Sequence, residues 1–513
     1  MKTKNSILLF FGTAFTICIF SLCGDIKKTA DEQVDKTKAH INDATELITK
    51  TVDEVTNTES PKQEEVDDNS NSCECKLPKA IDGITVKFNS TVPGDINNFT
   101  QANANCFAWQ QFIALNWPKG PNTNFGDPGD LKLVQWETYM PKDVLFQPNA
   151  APPPPWGTTL IADHHTELMK KSRINLNPKD SKLLFHPSKF GKSNAITGLD
   201  IHQAAPQKGP NWLGAQNNTN VWYEIMINED HYNFINNNGY YDAAVQHDSV
   251  NLGVPINFPK GSVNGPVGAI ELKAAWMEID DPSNNKWSRY KLSNAAVQDP
   301  TSGQLRKTIV ALVGFHILHK TENQPTWVWS TFEQIDNVPG NSSPPDGYNF
   351  HNNNCTNRTV NLADGSSVEV VCNENQSPPY SLTQAPPVPT QISRHNPIDA
   401  TAVTINKLIQ ENIKKFYPNS VWQYYQLVDV IWSAQIQPDP SQPIPSPRNI
   451  NVSAMTSGAN VVANTTLESY AQTTTCFQCH KYSTIAPFPP DAANNNVFGD
   501  FSFVIGAAKY HEQ

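Results

Sequence analysis

Hydrophobic positions along the chain fall into three regimes. An apolar run, Ile7-Leu8-Leu9-Phe10-Phe11 and on through Ala14 to Phe20, follows Lys2 and Lys4. Residues 24–75 are then charged and poor in aromatics, and include the acidic run Glu64-Glu65-Val66-Asp67-Asp68. Val34, Ile41, Ile48 and Val55 recur there every seventh residue. The other core positions of that heptad are mostly polar, so the segment reads as a tether and not as a stable zipper. From residue 76 the pattern becomes that of a folded body.

Within the body, Phe107-Ala108-Trp109-Gln110-Gln111-Phe112-Ile113-Ala114-Leu115 predicts a short helix stopped at Trp117-Pro118. The proline-rich segment 148–156 predicts a stiff, exposed loop. Val221 to Ile227 is apolar and β-rich, and 269–276 places Ile270, Leu272, Ala274 and Trp276 on one strand face. Thr308 to Leu318 is apolar on both faces, as a central strand is. Trp327 to Phe332 gives the next strand, with Trp327 and Trp329 on one face as a candidate ligand platform or as core. Helices at 229–245 interrupt the strands. Asp399 caps a helix whose buried face is Ile405, Leu408, Ile409, Ile413 and Phe416, ended by Tyr417-Pro418. Residues 421–432 read as strand or buried helix.

These elements predict an α+β fold. A β-rich body, a mostly antiparallel sheet or sandwich with flanking helices, spans 76–437, with its β-core at about 200–375. A proline-rich stretch at 438–447 then leads into a short helical segment, 438–513. The 40 prolines favour turns and loops over long helical bundles, and 12 Trp with 23 Phe suffice for sizeable cores. A net charge of −11 leaves no basic footprint, which excludes nucleic acid as the expected partner.

The charged head and short apolar run of the first regime have the form of a secretory signal, too short and early for a membrane span. The run ends in Phe20-Ser21-Leu22-Cys23-Gly24, which resembles the lipobox of bacterial lipoproteins, although Leu22 stands where a small residue is usual. The expectation is a signal over 1–23, a lipid anchor at Cys23 and the charged tether of 24–75. No integral membrane domain is expected in the mature chain. The protein is then exported, to the periplasm or to the outer membrane or cell surface as a lipoprotein. In such a compartment disulfides persist. Cys355 and Cys372 bracket a turn-rich segment and are expected to bridge, while Cys106 has Cys73 and Cys75 as candidate partners.

The chemistry sits near the end, in Cys476-Phe477-Gln478-Cys479-His480. Two cysteines three apart can each add to a haem vinyl group, and the adjacent histidine can then ligate the iron. A redox CxxC, a zinc pair and a plain disulfide are the competing readings, but zinc would want a second Cys or His pair at matching spacing. Cys476, Cys479 and His480 are therefore the expected site of one covalent haem c, with His480 as proximal iron ligand. Thr465-Thr466-Leu467-Glu468 predicts a capping box opening a helix toward the motif. Asp500 predicts the cap of a last helix, 501–508, whose apolar face would wall the porphyrin.

The segments FAWQQFIALNWP (107–118), ELKAAWMEI (271–279), HKTENQPTWVWSTFEQIDNVP (319–339), ANTTLESYAQTTTCFQCH (463–480) and DFSFVIGAAK (500–509) resemble those of bacterial "cytochrome c family" proteins. These are exported chains of about this length with a single C-terminal CxxCH. The resemblance covers roughly 100–513; it implies a haem and lends no substrate.

The sixth iron ligand would decide the role. No Met follows His480, so Met455 upstream and His511 downstream are the candidates. His164, His165, His316 and His319 are further possibilities from the body, the last two on opposite faces of one strand. The first reading is electron transfer with a redox partner protein. A haem-dependent oxidoreductase or peroxidase, with the β-rich body as substrate domain, is the second. A cell-surface binding protein with a structural or sensory haem is the third. The sequence carries no dinucleotide fingerprint or nucleophile elbow.

Overall fold

A 15-residue strand, apolar on both faces, has to be covered from both sides, and the fold is organised around that requirement. The computed structural model describes residues 88–120, 124–186, 212–340, 343–433, 461–473, 475–480, 483–489 and 497–511, all within one unit, Ser70–Gln513. The expected signal and lipobox with Cys23, the expected 24–75 tether, Cys73, Cys75 and the proline-rich stretch at 438–447 lie outside the described residues.

The main sheet contains β1 (Met140–Pro141), β2 (Lys182–Leu184), β3 (Val221–Ile227), β4 (Ile270–Glu278), β5 (Leu292–Gln298), β6 (Leu305–His319), β7 (Val328–Gln334) and β10 (Tyr425–Ile431). A separate hairpin pairs β8 (Arg358–Asn361) with β9 (Ser367–Val370). Strands in the main sheet run in the order β1-β3-β4-β6-β5-β2. β6 is long enough to fork. Its first half pairs with β5, its second half with β7, and β10 extends that branch. All these pairings are antiparallel except β2 with β5. The expected α+β class and mostly antiparallel sheet are therefore observed. The sheet reaches beyond 200–375, because β1, β2 and β10 come from outside that range. Residues 421–424 form a 3-10 turn before β10, which resolves the strand-or-helix alternative as strand.

One face of the sheet is covered by α1 (Gln101–Leu115) and the later helix at Ala400–Phe416. Phe107, Trp109 and Phe112 of α1 meet Ile270, Leu272, Trp276, Phe315 and Phe332 there. The buried Trp109 indole donates to Asn406 Oδ1 at 3.0 Å, and Asn406 Nδ2 donates to the Leu427 carbonyl at 2.7 Å. A polar side chain in the core thus fixes helix against helix and helix against β10. Asp399 caps the 400–416 helix as predicted, through Thr401 N.

The opposite face is covered by short helices and by the chain's last segment. Of the short helices, α2 (Lys142–Leu145), α4 (Glu229–Asn237) and α5 (Ala243–Asn251) contribute buried residues there, while α3 (Thr166–Lys171) buries none. The Ala400–Phe416 helix is α6, and α7 is Cys476–His480. The interruption expected at 229–245 is α4 and α5, running on to Asn251. The 148–156 segment is less exposed than its prolines predict: Ala150 and Pro153 are buried, and the Tyr232 hydroxyl of α4 donates to the Pro154 carbonyl at 2.9 Å.

The last segment packs tightly on the sheet at Gly314. A Cβ there would lie 2.1 Å from Thr466 Oγ1 and 3.0 Å from Asn464 Oδ1. Gly314→Ala is expected to destabilise the fold by about 1–3 kcal/mol through overpacking, readable as a lower urea midpoint. The predicted Cys355–Cys372 disulfide is present and brackets the β8–β9 hairpin. Its 17-residue separation implies that Cys355→Ala/Cys372→Ala costs about 3 kcal/mol in a thermal or urea melt. Cys106 is a buried free thiol on α1. Among the described residues no helix is long and apolar enough to cross a membrane.

Candidate functional site

The CxxCH motif folds as the single-turn helix α7, which puts its two cysteines one turn apart. Cys476 is partly accessible and Cys479 is buried. Phe477, between them, is fully buried and packs edge-on against Trp329 at 5.4 Å and Phe501 at 6.0 Å. This anchor orients the helix on the sheet.

His480 is 3% exposed. Its ring lies 4.4 Å from Trp329 and 4.8 Å from Phe503, and Nδ1 is 2.7 Å from the Phe501 carbonyl. A carbonyl only accepts, so Nδ1 carries the proton, and in the neutral imidazole Nε2 carries the lone pair. That is the tautomer a histidine adopts when it ligates a metal through Nε2 with a backbone acceptor behind it. Two cysteines one turn apart, a histidine whose Nδ1 is held by a backbone carbonyl and an aromatic wall make a donor set that fits a thioether-linked haem.

The acceptor carbonyl is itself held under strain. Asp500 and Phe501 have φ of 51° and 65°, and Trp327 has φ 70°. Bulky residues adopt this left-handed region only where surrounding contacts enforce it. The body supplies those contacts. Lys320 Nζ makes a buried ion pair with Asp500, Phe258 N donates to Asp500 Oδ2 at 2.9 Å, and the Trp327 indole donates to the Asp500 carbonyl at 2.9 Å. Ser502 Oγ donates to the buried Glu271 at 2.7 Å. The expected 501–508 helix is accordingly absent. Positive φ at both 500 and 501 precludes helix entry, and only a 3-10 turn, Ile505–Ala507, follows.

The helix predicted from Thr465–Glu468 is also replaced, by turns whose polar groups bind the sheet. Thr465 donates from N and Oγ1 to Glu333 Oε2 at 3.1 and 2.8 Å, and Glu333 forms a buried ion pair with Arg394. Asn464 Nδ2 donates to Thr331 Oγ1 and to the Phe332 carbonyl at 3.0 and 2.7 Å. Further along, Gln246 accepts from Ala486 N and donates to the Ile505 carbonyl, each at 3.0 Å. The segment therefore draws its walls and its hydrogen-bond partners from the body.

The remaining sequence candidates are scattered. His511 is exposed and pairs with Asp242 at 3.2 Å, while Met455 lies outside the described residues. The His164 and His165 rings meet at 4.0 Å in a tilted pair, and His165 lines a cleft that also holds the Asp143–His186 pair. Burial, with His164 alongside, lowers the His165 pKa to about 4. His316 is buried on the sheet face that meets the 461–511 segment, 3.3 Å from Glu468. His319 points to the opposite face, as its spacing predicted, and stacks on Phe107. Its ring nitrogens are engaged by Gln111 Oε1 and the Val267 carbonyl. Trp327 and Trp329 do not form an exposed platform. Both are buried, and Trp327 precedes the strand.

Burial brings the His319 pKa down to about 4 and that of His231 to about 3. Between those values and about 6.5 the unfolded chain binds protons that the native state does not, so stability rises with pH and is lost as pH falls. Each histidine is expected to cost about 2 kcal/mol between pH 6.5 and 5. Urea titrations at the two values check this, and His319→Gln should remove its own share, about 2 kcal/mol, of the drop.

Sequence reasoning missed the anchoring roles of Lys320, Trp327, Glu333 and Glu271, which come from the sheet and its loops, 140 residues or more from the motif by number. It also gave Asp500 a helix-capping role that its backbone excludes. No family model, curated protein or solved structure matches this chain.

Proposed function

We propose that the protein is an exported c-type haem protein, with one haem c joined to Cys476 and Cys479 and ligated by His480, that serves in electron transfer with a redox partner protein. The observation that carries this reading is the His480 Nδ1–H bond to the Phe501 carbonyl, which leaves Nε2 unprotonated in the neutral ring, on the same single-turn helix as Cys476 and Cys479. The resemblance of segments 107–118, 271–279, 319–339, 463–480 and 500–509 to bacterial "cytochrome c family" proteins supports the same conclusion.

When bound, the haem supplies one-electron redox chemistry. The chain's own contribution is orientation and shielding. Trp329, Phe477, Phe501 and Phe503 exclude water around His480, and a dry, apolar surround raises the cost of the oxidised charge. A hydrogen bond to a fixed carbonyl makes His480 a more basic ligand, which opposes that effect. The lipid anchor at Cys23 and the charged tether belong to this reading, since they hold a redox domain at a membrane surface.

Absorption and EPR spectra of the purified ferric protein test the role. A six-coordinate, low-spin haem that binds cyanide slowly is expected. A high-spin ferric haem that binds cyanide rapidly would overturn electron transfer in favour of peroxide or small-ligand chemistry.

A further inference from the structure

Among the described residues three buried carboxylates leave an oxygen without a hydrogen bond; Glu137 and Glu271 each have a lysine nearby, at 3.2 and 3.8 Å, whereas Asp429 borders a space with no basic lining residue. Asp429 sits at a bulge in β10, between Leu427 and the Asp429–Thr331 pair, and is 2% exposed. Its Oδ1 accepts from Gln101 Nε2 at 3.0 Å and from Val430 N at 2.7 Å. Its Oδ2 is buried and has no hydrogen-bond partner. A buried carboxylate oxygen left unmatched is costly, and native proteins rarely keep one without an ion or water at it.

Asp429 borders a small cavity lined also by Asn396, Asp399, Val428, Val462 and Gln472. The space takes about one water-sized particle. None of its lining residues is basic. The second carboxylate, Asp399, uses Oδ1 to cap α6 through Thr401 N at 2.8 Å. Two acidic groups therefore border one atom-sized space with no cationic side chain among them. Burial first, with Asp399 adding to it, pushes the Asp429 pKa up to about 7.

We propose that this cavity holds one hard divalent cation of the calcium class, bound by the carboxylates of Asp429 and Asp399 with the amide oxygen of Asn396. Oxygen-only donors select hard cations over the thiophilic metals. Two carboxylates neutralise a divalent ion, and small, irregular oxygen sites suit calcium better than magnesium, which demands an octahedron. Among the described residues no group of three or more His, Cys, Asp or Glu side chains forms a metal cluster. With only two charged ligands the affinity belongs in the weak range of extracellular calcium modules, about 10⁻⁴–10⁻³ M. The cavity is walled on one side by Val461–Ala463, where the last segment meets the body, and on the other by β10 and the start of α6. The cation would therefore fasten the segment that carries Cys476 and His480. This inference does not depend on the haem.

The test uses the full chain, with thermal unfolding at pH 8 in 5 mM CaCl₂ against EDTA, and calorimetric titration with CaCl₂. The wild type is expected to melt a few degrees higher with calcium, and Asp429→Asn to lose that increment entirely. Equal melting of the wild type in both buffers, or an undiminished increment in Asp429→Asn, would overturn the site. If Asp429→Asn fails to fold, terbium luminescence of the wild type decides. Tryptophan-sensitised emission that saturates near one equivalent and is displaced by calcium supports the site, with Trp432 three residues along the chain as the antenna. No sensitised emission overturns it.

Discussion

Lys320→Met is expected to destabilise the protein by about 3–5 kcal/mol, the cost of leaving a buried carboxylate without its charge partner. The Lys320 and Asp500 side chains are 1% and 8% exposed, and Lys320 Nζ also donates to Asn257 Oδ1 at 2.8 Å. Urea denaturation measures the loss. Lys320→Met/Asp500→Asn should recover a substantial part, because a neutral pair of similar size no longer buries an uncompensated charge. A single-variant loss below about 1 kcal/mol would mean that the pair does not carry the kink at 500–501. The ion pair also bears on the site. Asp500 and Phe501 keep their left-handed backbone because Lys320, Phe258 N and Trp327 hold it there. Releasing that clamp lets the Phe501 carbonyl move away from His480 Nδ1.

His480→Ala is expected to abolish the low-spin ferric signature completely while leaving both thiols in place for attachment. The imidazole supplies the axial nitrogen, and its own donor proton is committed to Phe501. A protein carrying haem but lacking this ligand should be high-spin by EPR. Retention of an unchanged low-spin spectrum would assign the proximal ligand to another residue. The variant also opens a hole between Trp329 and Phe503, so a lower melting temperature accompanies the spectral change.

Much of this was legible because strong local patterns agree with the fold. β3, β4, β6 and β7 were visible as β-rich runs, since alternation or two-sided apolarity fixes a strand wherever one or both faces are buried. The 400–416 helix announced itself by its cap and its apolar stripe. The hairpin disulfide followed from two cysteines bracketing a turn. By contrast, 465–473 and 500–508 look helical in isolation but are not helical in the fold. Their polar groups bind Glu333, Glu271, Lys320 and Trp327, residues far away in sequence, and those long-range bonds outweigh local propensity. The same blindness applied to the site. Cys476, Cys479 and His480 could be named from spacing alone, whereas the Phe501 acceptor depends on a backbone kink that no local signal encodes. Asp429 shows the limit from the other side: a lone Asp in an aromatic, β-branched run gives no hint that its carboxylate borders a cavity shared with Asp399.

The central claim is that Cys476 and Cys479 carry a haem. Intact-mass spectrometry of the purified protein, expressed in cells competent for c-type cytochrome maturation, addresses it most directly. The wild type is expected to carry the mass of one covalent haem and Cys476→Ala/Cys479→Ala none. An unmodified wild-type mass, under conditions where a control c-type cytochrome is fully matured, would contradict it.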